Sequence, residues 1–211
     1  MPNFPTSLDT LSNPTSTTLR NDPGYELDVV ISTLNDIVEA LEAKVGVTAS
    51  TAVTDSVLTG TSAGSTAWQR LDNARAWHNA DQSIANTTVT IVALNVDVFD
   101  NNSIHDPSTN NSRLTCKVAG KYLITAGVQF SPNSTGQRRV AIMRNGSQTT
   151  ARTWVDATGG GQPTDISIST LYALSVNDYV EIEVYQDSGG AINVSSVSPY
   201  TPELSMVRVA P

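Results

Sequence analysis

The chain has 211 residues, of which 39% are hydrophobic and only 15% charged, so it is not a charge-rich disordered protein. Its net charge of −8, with an isoelectric point near 4.6, argues against nucleic acid as a partner, whose phosphates would be repelled. No run of about 18 apolar residues is present, so no membrane insertion is expected.

Residues 1–24 scatter Pro2, Pro5, Pro14 and Pro23 among Ser, Thr and Asn, with Phe4, Leu8 and Leu11 in no helical or strand period. They read either as a floppy tail or as an extended arm that orders on docking to a larger assembly, which the spaced apolar residues favour. The first eleven residues lack a basic stretch followed by an apolar one, so export through the ordinary secretion route is not expected.

Residues 25–46 predict a helix, opened by Asn21-Asp22-Pro23-Gly24 and stopped at Gly46. Leu27, Ile31, Leu34, Val38, Leu41 and Val45 form a heptad seam, with the β-branched residues at a and the leucines at d. That choice alone favours two strands, but Val30 and Ile37 at g widen the stripe toward three. The alternative is an amphipathic helix packed on its own domain; the flanking segments offer little surface for that. Residues 47–73 are rich in Thr, Ala, Ser and Gly and read as a linker, with short strands around Val53 and Val57-Leu58.

From residue 74 to 211 the pattern becomes that of strands. Tyr122, Ile124, Ala126, Val128 and Phe130 alternate with Lys121, Thr125 and Gln129, and Val180, Ile182 and Val184 alternate with Glu181 and Glu183. Turn signals separate the runs, among them Asn101-Asn102, Asp106-Pro107, Asn145-Gly146, Gly159-Gly160-Gly161 and Asn177-Asp178. The fold class is mainly β, an antiparallel sandwich or jelly roll. The lone cysteine, Cys116, cannot form an internal disulfide and reads as a small buried hydrophobe.

Little enzyme chemistry is available. The two histidines, His78 and His105, give a catalytic triad or a His-rich metal site little material, and no H-E-x-x-H, G-x-S-x-G or C-x-x-C occurs. Asp156 and Asp165 flank the Gly-rich loop without an identifiable partner. Asp97, Asp100 and Asp106, beside Asn101 and Asn102, are either calcium ligands or members of an ordinary polar loop. Arg138 and Arg139 could pair with acids of another subunit or lie on a solvated strand face. Six N-x-S/T sequons, beginning at Asn86, Asn101, Asn110, Asn133, Asn145 and Asn193, reflect Asn-rich turns. Trp68, Trp77, Trp154 and Tyr200 are core or interface residues, with sugar stacking as the alternative.

From Asn86 to Val209 the chain resembles the C1q/tumour-necrosis-factor-like family. The resemblance is carried by Asn95, Phe99-Asp100, His105-Asp106, Asn111-Ser112-Arg113-Leu114-Thr115, Val118-Ala119-Gly120-Lys121-Tyr122, Phe130, Arg144-Asn145-Gly146 and Asp178-Tyr179-Val180. It implies a ten-stranded jelly roll that trimerises, with Tyr122, Phe130 and Tyr185 among residues directed to the three-fold axis. The collagen stalk of animal C1q proteins is missing and the heptad helix stands in its place. Leu8-Asp9-Thr10-Leu11-Ser12-Asn13-Pro14 and Ala40-Leu41-Glu42-Ala43-Lys44-Val45-Gly46 resemble the leading segment of tailed-bacteriophage head fibres, tail proteins and adaptors. The implied protein is a non-enzymatic homotrimer of a phage virion, assembled in the host cytoplasm. It would dock on capsid or tail proteins through residues 1–24 and expose its head toward a host glycan or protein, with no cofactor. The alternative functions are a stand-alone lectin-like binding module and a hydrolase of surface polysaccharide.

Overall fold

A computed structural model describes residues 34–39, 56–62, 65–197 and 201–210. The chain divides into two units, Met1–Leu71 and Asp72–Pro211. In the first, residues 34–39 are helical, inside the expected helix, with the Leu34 and Ile37 side chains 57% and 58% exposed and Val38 half-buried. These six residues are under two turns and do not make a coiled coil by themselves. Leu27, Ile31, Leu41 and Val45 lie outside the described residues, as do the arm, Val53 and Tyr200. The strand expected at Val57-Leu58 is β1 (Ser56–Ser62), paired antiparallel with β2 (Ser65–Arg70).

The second unit is a two-sheet antiparallel sandwich. Its strands are β3 (Asn73–Trp77), β4 (Gln82–Ile84), β5 (Thr90–Ile91), β6 (Val96–Asp100), β7 (Leu114–Thr115), β8 (Gly120–Phe130), β9 (Gln137–Arg144), β10 (Gln148–Asp156), β11 (Thr164–Leu174), β12 (Tyr179–Gln186), β13 (Ile192–Val194) and β14 (Glu203–Ala210). One sheet runs β10-β9-β12-β5 with β7 also on β12; the other runs β4-β13-β8-β14-β3-β6 with β11 also on β8. The head therefore begins slightly before residue 74. Asp72 belongs to it, because its carbonyl accepts from the Arg208 amide at 2.8 Å and its carboxylate from Asn102 Nδ2 at 2.8 Å.

The period of two in β8 and β12 decides the core. Tyr122, Ile124, Ala126, Val128 and Phe130 meet Val180, Ile182 and Val184 between the sheets, with Leu204 and Met206 beside them. Each such large side chain contributes about 1.5–3 kcal/mol by leaving water. Tyr122 carries its hydroxyl inward and donates it to the Val118 carbonyl at 2.6 Å. Cys116 is buried, and burial pushes its thiol pKa up, which keeps it protonated and unreactive.

Two turns show why their residues are needed. Asn145 and Gly146 take φ of 52° and 68°, the left-handed pair that a type I′ hairpin between β9 and β10 requires. Gly120 serves differently from a turn residue: a Cβ there would lie 2.5 Å from the Ala210 carbonyl oxygen, so glycine permits a close approach to β14.

Candidate functional site

The outer face of the larger sheet is built from the alternate residues of its strands. Leu171 on β11 stands beside Leu123 on β8, and Leu123 beside Val207 on β14, making one cross-strand apolar row. Leu123 is 41% exposed and Leu171 60%, and the exposed Val209 continues the strip along β14. The next rows are small and polar. Ser169, Thr125 and Ser205 sit side by side, with the Thr125 and Ser205 hydroxyls 2.6 Å apart, followed by Ser167, Gly127 and Glu203. Glu203 is held by Arg75 of β3. The result is a face with an apolar row near one end, bordered by the exposed Lys121, small hydroxyl residues at its middle, and the Arg75–Glu203 and Gln129–Asp165 pairs toward the other end.

Tyr122 and Phe130 are not on that face. Both are fully buried in the chain's own core and present no surface to another copy. The reason is parity: side chains on β8 alternate between faces, and the larger apolar set goes to the intramolecular core. Residues available for association therefore come from the odd-numbered set, which includes Leu123.

Tyr185 lies on the outer face of the other sheet. There Trp154 of β10, Arg139 of β9 and Tyr185 of β12 occupy one rung. The Arg139 guanidinium sits 5.4 Å from the centre of each ring, the rings meet edge to face at 5.4 Å and 65°, and Arg139 also pairs with Glu183. Arg139 thus finds its acid within the same chain. Arg138 points the other way, fully buried, donating to the carbonyls of Thr135, Gln137 and Asn133 at 3.0, 3.0 and 3.1 Å over the Phe130 ring. Neither arginine needs a partner subunit. Further along, Glu181 accepts from Ser112 Oγ at 2.6 Å and Arg113 Nε at 3.1 Å, while Arg113 covers the Tyr179 ring at 4.0 Å.

The three aspartates weighed as calcium ligands are each committed elsewhere. Asp97 meets His105 Nδ1 at 2.5 Å; Asp100 accepts the amides of Asn102, Ile104 and His105; Asp106 accepts those of Ser108 and Thr109. The Thr109 and Ser108 amides hold the Asp106 carboxyl below the usual carboxylate range. Among the described residues no group of three or more His, Cys, Asp or Glu side chains is placed to hold a metal ion. Amides of the local loop take Asp100 and Asp106, and the His105 ring takes Asp97.

Asp156 and Asp165 do not meet either: Asp156 accepts from Gln137 and Asp165 from Gln129, on different sheets. His105 places its second nitrogen 2.9 Å from the Asn111 carbonyl, so neither ring nitrogen is left to activate a hydroxyl. Trp77 and Trp68 are half-buried, whereas Trp154 is 43% exposed. The Leu171–Leu123–Val207 row went unread in the sequence; the signal was Leu123 standing alone among Lys121, Thr125 and Gln129.

No protein-family model matches this chain. No curated protein matches it either. Among solved structures it is similar to murine APRIL, crystallised at pH 8.5 and at pH 8.0, with 15% identity, TM-scores of 0.50 and 0.51, and coverage of 66% of this chain and 100% of that one. Eiger TNF from S. frugiperda aligns over 66% of this chain and 93% of its own, with 12% identity and a TM-score of 0.48. The fold is a TNF-like jelly roll. At such identities the likeness is one of fold, and the two faces described above are this chain's own.

Proposed function

We propose that this protein is a non-enzymatic homotrimeric module, structural or adhesive, whose jelly-roll heads associate through the outer face of the larger sheet. The observation that carries this reading is the Leu171–Leu123–Val207 row, in which Leu171 and Leu123 are exposed and Val207 is half-buried, beside a row of small hydroxyl residues. A contiguous apolar strip on a rigid sheet favours burial against a neighbour, and a repeated face-to-partner contact can close into a ring of three. The resemblance to the C1q/TNF-like family supports three as the number.

Within this reading the chain is a virion protein of a tailed bacteriophage. Residues 1–24 dock on a capsid or tail protein, residues 25–46 form a short coiled coil, and the head faces outward. The uncovered apolar side chains of Leu34 and Ile37 favour a helix that meets other copies. A specific observation also favours a recognition role for the head, whether or not a particle bears it: Trp154 is exposed on a rigid, hydrogen-bonded sheet.

Light scattering on the intact protein should return three times 22.4 kDa. Gold-labelled protein should decorate phage particles, and deletion of residues 1–24 should abolish decoration while leaving the trimer. A monomer at micromolar concentration would sink the assembly, and decoration by the truncated chain would sink the arm.

A further inference from the structure

β10 is the edge strand of the smaller sheet, and its alternate residues Arg152, Trp154 and Asp156 share the outer face. Along a strand such neighbours stand about 6.6 Å apart. The indole has neighbours on one flank: Arg139 and Tyr185, in register on β9 and β12, lie inboard of it. Among the described residues β10 pairs only with β9, and 43% of Trp154 is left exposed. Arg139 is pinned by Glu183 and by both rings, which holds the indole in place before any ligand arrives. Of the polar neighbours, Asp156 accepts from Gln137 Nε2 at 3.0 Å, and Arg152 stands exposed in register with Ala141.

We propose that this strip of β10 binds a pyranose of a polysaccharide, stacked on Trp154 with its hydroxyls taken by Arg152 on one side and Asp156 on the other. A pyranose presents an apolar C–H face ringed by hydroxyls, so it needs one aromatic plane flanked by a donor and an acceptor at ring dimensions. Here Arg152 and Asp156, two residues either side of Trp154 on the same face of β10, supply the donor and the acceptor. The guanidinium offers parallel N–H groups to a pair of adjacent hydroxyls, and the carboxylate accepts from others. A protein partner fits less well. Arg152 and Asp156 flank the indole along the strand and Arg139 and Tyr185 across it, and one exposed aromatic among charged neighbours is a small anchor beside the roughly 800 Å² per partner of a stable interface. The inference deepens the recognition role proposed for the head and does not depend on the trimer.

The test uses the intact protein with cellohexaose, maltohexaose and chitohexaose as probes, read by tryptophan fluorescence and saturation-transfer NMR, with mass followed by light scattering. At least one probe should bind. Trp154→Ala should weaken that binding about tenfold, and Arg152→Ala severalfold, through loss of the stacking plane and of the donor pair. Trp154→Phe keeps a ring and should retain most of the binding, which decides the matter if Trp154→Ala fails to fold. Absence of binding to every probe, or binding unchanged in Trp154→Ala and Arg152→Ala, overturns the proposal. So does dissociation of the trimer by Trp154→Ala, which would make the indole an interface residue. A wild-type trimer that binds no probe defeats this inference and leaves the association reading standing.

Discussion

Replacing Leu123 and Leu171 together with Ser tests the association surface at its apolar row. The two side chains are 41% and 60% exposed, so between them they offer about one whole leucine of surface to a partner. Burying a leucine is worth about 1.5–3 kcal/mol, and each interface of the trimer would lose that amount. This corresponds to about one to two powers of ten in the association constant per interface. The protomer should lose a comparable amount, because the parts of the two side chains that are covered within the chain also add up to about one leucine. Light scattering over a dilution series should show the double variant falling to monomer at concentrations where the wild type remains at three times 22.4 kDa. Urea unfolding of the dissociated variant checks that the head is intact. A dilution midpoint unchanged from wild type would falsify the assignment of this face, and association would have to run through other surfaces.

Arg138→Ala should be among the most damaging single changes in the head. It strips three carbonyls of a buried guanidinium, and a loss of about 3–5 kcal/mol in the urea-derived stability is expected, with Arg138→Lys less affected. A loss under about 1 kcal/mol would mean that water replaces the guanidinium there. Asp178 sets an acid limit. Its carboxylate accepts from Asn145 Nδ2 at 2.6 Å, then from the Ser175 amide, with Arg144 nearby, and these hold its pKa below the ordinary carboxylate value. A depressed carboxylate stabilises the fold above its unfolded pKa of about 4, and the contribution disappears as pH falls through the lower folded value. Below about pH 4 the wild-type melting temperature should therefore drop more steeply than that of Asp178→Asn; parallel curves would remove Asp178 from the acid transition.

The local code of this protein was legible in its residues. Alternation at Tyr122 to Phe130 and at Val180 to Val184 announced strands with one buried face, Asn145-Gly146 announced a hairpin, and Cys116 read as core. These depend on side-chain period and backbone preference, which act within a few residues. What lies across the sheet was decided by register. Leu123 neighbours Leu171 and Val207 because β11 and β14 flank β8, and no short-range signal announces that order. The same limit misplaced Tyr122 and Phe130 at an intersubunit contact. Their hydrophobicity was plain, but whether a strand's apolar face meets its own second sheet or another chain is settled only when the sheets stack. Arg138 and Arg139, adjacent in sequence, ended on opposite faces, one capping buried carbonyls and the other clamped between two rings. The aspartates of the 97–106 loop illustrate the reverse case. Their composition suited a cation, yet nearby amides bonded Asp100 and Asp106 and the His105 ring bonded Asp97, since a donor a few residues away competes at far smaller entropic cost than an ion gathered from three directions.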